Sequence, residues 1–185
     1  MISLLMIADD FTGALDTGVQ FAASGVETRV VVGMDGVLSL PAPEVRVLVV
    51  DAETRHMAPE AACAVVESLT RQAVDLGVQY IYKTTDSALR GNIGAELTAL
   101  LRASGEKRLP FLPAYPQVGR TTVGGVHLVN GVPVAESVFG QDPFEPVRHS
   151  TVAELIAEQS GVPVHLSPAL GAGDPVPGGE GILVF

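Results

Sequence analysis

Apolar residues in this chain come in short packets, four to seven residues long, separated by longer stretches with helical spacing. The run Val45-Arg46-Val47-Leu48-Val49-Val50 is typical: rich in β-branched residues and far shorter than the ~18 residues a membrane span requires. Residues 2–8, 27–33, 45–50, 78–83 and 109–112 read as strands. Between them, residues 13–24 and 58–76 read as helices closed by Gly25 and Gly77. Residues 93–104 read as a third helix, with Asn92 as its N-cap and Gly105 after its end. Strands that alternate with helices demand a mostly parallel sheet with helices on both faces, because a parallel connection needs a crossover. The expected fold is therefore α/β, a Rossmann-like three-layer sandwich.

After residue 112 the pattern changes. Val126-His127-Leu128-Val129, Asn130-Gly131 and Val132-Pro133-Val134 read as a β-hairpin insertion, since Asn-Gly supplies the positive φ angles of a tight turn. Residues 151–159 read as a helix, 162–166 as a strand, 167–180 as a Gly/Pro-rich connection and 182–185 as a last strand. The whole of residues 1–185 reads as one domain.

The chain carries 11 Lys and Arg against 21 Asp and Glu, a net charge of −10, and its mean hydropathy is +0.36. An acidic chain without basic stripes is a poor nucleic-acid binder, and no apolar run is long enough for a membrane. The start, with Asp9-Asp10 close behind Ile7, is not a secretory signal, and one cysteine, Cys63, excludes an internal disulfide framework. Cys63 reads as a small core residue of a helix, and the cytoplasm is the expected compartment.

In parallel sheets, ligands bind beyond the carboxyl ends of the strands. Five of the 11 cations, Arg55, Lys83, Arg90, Arg120 and Arg148, fall in the loops there. Asp9-Asp10-Phe11-Thr12 follows the first strand: one carboxylate or Thr12 suffices to cap a helix, so a second Asp suggests a base, a hydroxyl acceptor or a metal contact. Asp51 to Arg55 follows the third strand. Residues 83–92 combine Lys83, Asp86, Ser87 and Arg90 with Gly91-Asn92 at a helix start, where free N–H groups favour an anion. Tyr115, Gly119 and Arg120 follow the fifth strand in a stiff, proline-rich loop. Arginine forks suit a carboxylate and the neighbouring Asp and Ser suit a polyol, so the loops describe a hydroxylated carboxylic acid.

No phosphate-binding glycine loop and no Cys/His metal cluster is present, and no metal-ligating residues are assigned. The four histidines, His56, His127, His149 and His165, are scattered, and His149, beside Arg148, is the one candidate among them. Gly171-Ala172-Gly173-Asp174 is followed by Pro175 and Pro177 without a helical pattern, and reads as a connection rather than a catalytic turn.

Four motifs in order then carry a resemblance: residues 7–14 (Ile-Ala-Asp-Asp-Phe-Thr-Gly-Ala), residues 83–92, Pro113-Ala114-Tyr115-Pro116 with Gly119-Arg120, and Asp142-Pro143 with Arg148-His149-Ser150. Together they resemble the four-carbon acid sugar kinases, from Met1 to at least Ser150. The resemblance implies a two-domain enzyme that phosphorylates threonate, erythronate or 3-oxo-tetronate with ATP and Mg²⁺. The N-terminal domain would bind the acid through Asp9, Asp10, Asp86, Ser87, Arg90 and Arg120, with Thr12, Arg55, Lys83 and Tyr115 nearby. Asp10, or Asp9, would be the catalytic base. The nucleotide would sit in a C-terminal domain beyond Phe185. Ala88 replaces a hydroxyl residue expected in the family pattern, which would weaken one substrate contact.

The leading expectation is the substrate half of an ATP-dependent sugar-acid kinase, inactive alone. The alternative is a non-enzymatic sugar-acid-binding or regulatory module, and a third reading is a metal-dependent hydrolase using Asp9 and Asp10. An unpaired strand edge would favour a homo-oligomer.

Overall fold

The computed structural model describes residues 2–33, 38, 42–168, 170 and 173–185. Of the run at 171–174, Gly171 and Ala172 lie outside the described residues; Gly173 and Asp174 are exposed and irregular.

Strands β1 (Leu4–Ala8), β2 (Thr28–Val32), β3 (Val47–Asp51) and β4 (Tyr80–Lys83) form an all-parallel sheet in the order β2-β3-β1-β4. Every residue of β3 is buried, as expected for a strand covered on both faces. Side chains alternate between the faces. Leu5, Ile7, Leu48 and Val50 join the main core with helices α2 (Pro59–Asp75) and α3 (Ile93–Ser104). Met6, Ala8, Val47 and Val49 meet helix α1 (Phe11–Ala23) on the other face. Pro59 opens α2 with a preset φ and no N–H to lose, and Gly105 ends α3 at φ 75°. Cys63 is partly buried against the main core.

The expected parallel sheet is divided in two. Strands β5 (Arg108–Phe111), β9 (Val164–Leu166) and β10 (Gly181–Val184) form a second parallel sheet in the order β5-β10-β9. Among the described residues no ladder joins β4 to β5; a cleft of about 1080 Å³ lies between them, lined by Tyr80, Tyr82, Arg108 and Leu112. Helix α3 backs both sheets, and residues 93–101 are buried in succession. A third, antiparallel sheet holds β6 (Arg120–Val123), β7 (Val126–Val129) and β8 (Val132–Pro133). The expected Asn130-Gly131 turn is present, with φ 50° and 80°. Helix α4 (Val152–Ala157) packs between α3 and β9.

Register places the site. Ala8 pairs with Asp51, and Ile7 with Lys83, so the loops after β1, β3 and β4 leave the sheet at one level.

Candidate functional site

At that level, the β1–α1 loop delivers two carboxylates to different tasks. Asp10 is the α1 N-cap: its Oδ1 accepts from the Gly13 N–H at 2.8 Å. Asp9 turns inward. Arg55, from the β3–α2 loop, bridges them, donating from Nε to Asp9 Oδ2 at 2.8 Å and from Nη1 to Asp10 Oδ2 at 2.6 Å. Its Nη2 lies 3.8 Å from Asp86 Oδ1. Burial pulls the Arg55 guanidinium down, but Asp9, Asp86 and Asp10 outweigh it and hold it above its ordinary value. The Arg55 backbone is gripped by Asn92, whose Nδ2 donates to the carbonyls of Thr54 at 2.9 Å and Met57 at 3.0 Å. Gly91, at φ 88°, lies so close that a Cβ there would stand 3.0 Å from Arg55 Cγ and 3.3 Å from its carbonyl oxygen.

The β4–α3 loop is wound around Asp86. Its Oδ2 accepts from the Ala88 and Arg90 N–H groups, each at 3.2 Å, and Arg90 closes a bidentate pair with it through Nε and Nη2, both at 2.9 Å. Leu89 is left at φ 64°, a strained setting for a non-glycine residue. Burial pushes the Asp86 carboxyl up, but Arg90 and Arg55 more than reverse this and hold it below the usual carboxylate range. The same partner raises Arg90, with Asp142 adding a contact at 3.3 Å.

The hairpin sheet closes the site from outside. His127 is fully buried and bonds to the Ser87 carbonyl through Nε2 at 2.9 Å and to Thr122 Oγ1 through Nδ1 at 3.0 Å. A carbonyl only accepts, so Nε2 carries the proton and Nδ1 accepts from the threonine. Burial pushes this imidazole down, with the Arg120 charge helping, which keeps it neutral. Phe139 sits between two cations: the Arg90 and Arg120 guanidinium carbons lie 5.2 and 5.1 Å from its ring centroid.

Asp9, Asp10, Arg55, Asp86 and Arg90 are thus one connected network, and Arg120 reaches it through Phe139. The other expected residues stand apart. Lys83 is 1% exposed at its side chain, with Nζ 2.9 Å from Glu96 Oε2 on α3 and donating to the Thr84 carbonyl at 2.6 Å. Neither Glu96 oxygen makes a hydrogen bond of good geometry, so that contact is ionic rather than directed. Thr12 is exposed on the first turn of α1, and Arg148 is exposed as well. His149 lies 3.8 Å from Glu154. Tyr115 and Ser87 line the upper end of the β4–β5 cleft rather than the ion network.

Three expectations are corrected. Asn92 does not cap α3 with its side chain; it clamps the β3–α2 loop. The N–H groups of Gly94 and Ala95 at the α3 start are not open to an anion, because Gln159 Oε1 accepts from both, at 3.0 and 3.4 Å. Ala88 is buried in the main core, where a hydroxyl would face apolar neighbours instead of a substrate. Phe139, Gln159 and Glu96 were not legible as site residues. None sits at a strand end: Phe139 meets Arg90 and Arg120, Gln159 meets the start of α3, and Glu96 meets Lys83, each through a tertiary contact.

The arrangement offers hydroxyl acceptors and one accessible carboxylate. The Asp10 side chain is 26% exposed, whereas Asp9 is 3% exposed. The β4–β5 cleft touches Thr84, Thr85 and Ser87 but not Asp9, Asp10, Arg55, Arg90 or Arg120. At about 1080 Å³ it is also larger than pockets for drug-sized ligands usually are, so we place the candidate site at the ion network.

Residues 4–176 match a family described as a sugar-binding N-terminal domain. A D-threonate kinase of Salmonella typhimurium is 44% identical over 165 residues, which are 89% of this chain and 38% of that one. A D-erythronate kinase of Heliobacterium modesticaldum is 35% identical, over 86% of this chain and 37% of its own. The chain therefore spans about two fifths of the length of these curated relatives. A Bordetella bronchiseptica domain of unknown function, solved with bound citrate as a domain-swapped dimer, superposes with a TM-score of 0.81 at 33% identity. That match covers 98% of this chain and 46% of the other. Among the described residues, no helix is long and apolar enough to cross a membrane.

Proposed function

This chain belongs to the sugar-binding N-terminal domain family, and on that premise we propose that it is the acid-binding part of an ATP-dependent kinase for a four-carbon sugar acid of the threonate, erythronate or 3-oxo-tetronate kind. One observation carries the reading. Two adjacent carboxylates at the end of β1 are held by a single arginine, and only Asp10 keeps access to solvent. Asp10 accepts the proton of the substrate hydroxyl, and Arg55 aims it. Both Asp10 oxygens already accept a hydrogen bond, but each carboxylate oxygen has a second lone pair. Asp86 Oδ1, which accepts from Arg90 Nη2 at 2.9 Å, has a second lone pair for a further hydroxyl. The citrate in the Bordetella structure is a hydroxylated carboxylate, which suits this reading, and its swapped dimer supports a homo-oligomeric assembly.

ATP and Mg²⁺ do not fit the described residues. A phosphate chain needs free backbone N–H groups, and Asp10 takes that of Gly13 at the start of α1 while Gln159 takes those of Gly94 and Ala95 at the start of α3. Among the described residues no group of three or more His, Cys, Asp or Glu could hold a metal ion, and Asp9, Asp10, Asp86 and Asp142 all face an arginine. We assign the nucleotide and metal to a separate C-terminal domain of the kind the longer relatives have room for.

Calorimetric titration with D-threonate, D-erythronate and 3-oxo-tetronate tests the reading, with ATP–Mg²⁺ titrated separately. Saturable binding of one acid, weakened at least tenfold in Arg120→Ala and retained in Asp10→Asn, is the expected result, with no heat from ATP. Silence for every acid, or saturable ATP binding, would overturn it.

A further inference from the structure

The three arginines of the site are not equivalent. Arg55 is taken by Asp9 and Asp10, and Arg90 by Asp86 and Asp142. Both charges are balanced inside the protein, and each nitrogen of the two guanidinium groups lies within 3.8 Å of a carboxylate oxygen. Arg120 differs. Its side chain donates from Nη1 to the Val118 carbonyl at 2.8 Å. It has no carboxylate partner within ion-pair distance among the described residues, and its Nε is buried without an acceptor. A guanidinium in that condition has unmet capacity for an anion with two oxygens.

What keeps Arg120 there is the Phe139 ring. The Arg120 and Arg90 guanidinium carbons lie at nearly equal distances, 5.1 and 5.2 Å, from its centroid. Two cations on one ring would repel each other were Arg90 not neutralised by Asp86 and Asp142. With that charge cancelled, the ring's negative face attracts Arg120 at little cost. The ring is itself held in place. The Phe139 N–H donates to Ser137 Oγ at 3.2 Å, its carbonyl accepts from the Val147 N–H at 3.0 Å, and it packs against the main core. Ring, balanced arginine and unbalanced arginine thus form a fixed stack beside a cluster whose other open groups are hydroxyl acceptors.

We propose that Arg120 receives the carboxylate of the ligand and that Phe139 is the positioning residue that sets its guanidinium for this role. The inference rests on the sugar-acid reading above and assigns the acid group, rather than the hydroxyls, to one side of the site. Arg55 and Arg90 serve as internal counterions that orient aspartates.

The test compares D-threonate with the uncharged four-carbon polyol D-threitol on the full 185-residue chain, by calorimetry and by competition. Phe139→Leu keeps the apolar volume but removes the ring, and Phe139→Tyr restores a ring face. Side-chain ¹H–¹⁵N spectra follow the Arg120 and Arg90 Nε–H signals, which a ring within this distance displaces. The expected result is about tenfold weaker threonate binding in Phe139→Leu, unchanged threitol binding, recovery in Phe139→Tyr, and a threonate-induced shift of the Arg120 signal in the wild type. If Phe139→Leu binds threonate as the wild type does, or loses acid and polyol equally, the inference is overturned and the functional reading stands. If the wild type binds no acid, the functional reading falls, and this assignment with it.

Discussion

Asp51 ends β3 without solvent exposure, one strand away from the Asp9–Asp10 pair. Burial pushes its carboxyl up, and the charges of Glu53, Asp10 and Asp9 add to that; a hydrogen bond from the Glu53 N–H opposes them only in part. A carboxyl raised in the folded state contributes its full stability below the unfolded value of 3.8 and loses it as pH rises through the folded value. The loss persists at neutral pH. Asp51→Asn removes the ionisation, so its melting midpoint should exceed that of the wild type at pH 7 by roughly 2–4 °C, the shift of about 1 kcal/mol. The advantage should shrink toward pH 4. A midpoint difference that stays constant from pH 4 to pH 8 would refute the assignment. At this scale the sequence was legible where strand ends converge: Asp9, Asp10, Arg55, Asp86 and Arg90 stand in one network because parallel strands open their loops to the same side. Lys83 was misread because it is still a strand residue. It shares a face with Ile81, and that face meets α3, where Glu96 waits.

Among the elements, α3 is both the most legible and the most constrained. The expected span of 93–104 is the observed one, since Gly105 marks its end and its apolar residues mark its body. Its partners were not legible. A Cβ on Gly94 would stand 2.3 Å from the Ile156 carbonyl oxygen, so α3 and α4 touch backbone to backbone. Gly94→Ala must push α4 away and disturb Gln159, whose side chain serves the α3 N-terminus. We expect a loss of about 1–3 kcal/mol, read as a lower midpoint in thermal or denaturant unfolding; a midpoint equal to that of the wild type would show that α4 yields freely. Strand β6 was missed. Its residues Arg120 to Thr122 follow a proline-rich loop and were read as its continuation. Yet Val123-Gly124-Gly125-Val126 places Gly-Gly between β-branched residues, a hairpin signal, and both glycines have positive φ, 57° and 82°. That strand carries Arg120, so reading it as a loop hid how firmly the arginine is mounted.

For the molecule as a whole, alternation of strand and helix was enough to foresee a mostly parallel sheet between helices, and nothing local in the sequence announces that β4 and β5 fail to pair. That division gives the chain a chronology. Within the first sheet β2 meets β3 after 19 residues and β1 meets β3 after 43 (Thr28 and Leu4 both pair with Val47), whereas β5 must wait 73 residues for β10 (Arg108 pairs with Gly181). Contacts that close long loops form late, because the chain gives up entropy before the contact rewards it. In pulse-labelled hydrogen exchange during refolding, amides of β1 and β3 should gain protection before those of β5 and β10, and simultaneous protection would refute this order. The Asp9–Asp10–Arg55 fork belongs to the early part, while Phe139 and Arg120 lie in the stretch between β5 and β10. A newborn chain would therefore hold Asp10, the proposed proton acceptor, before it mounts Arg120, the proposed acid-binding arginine.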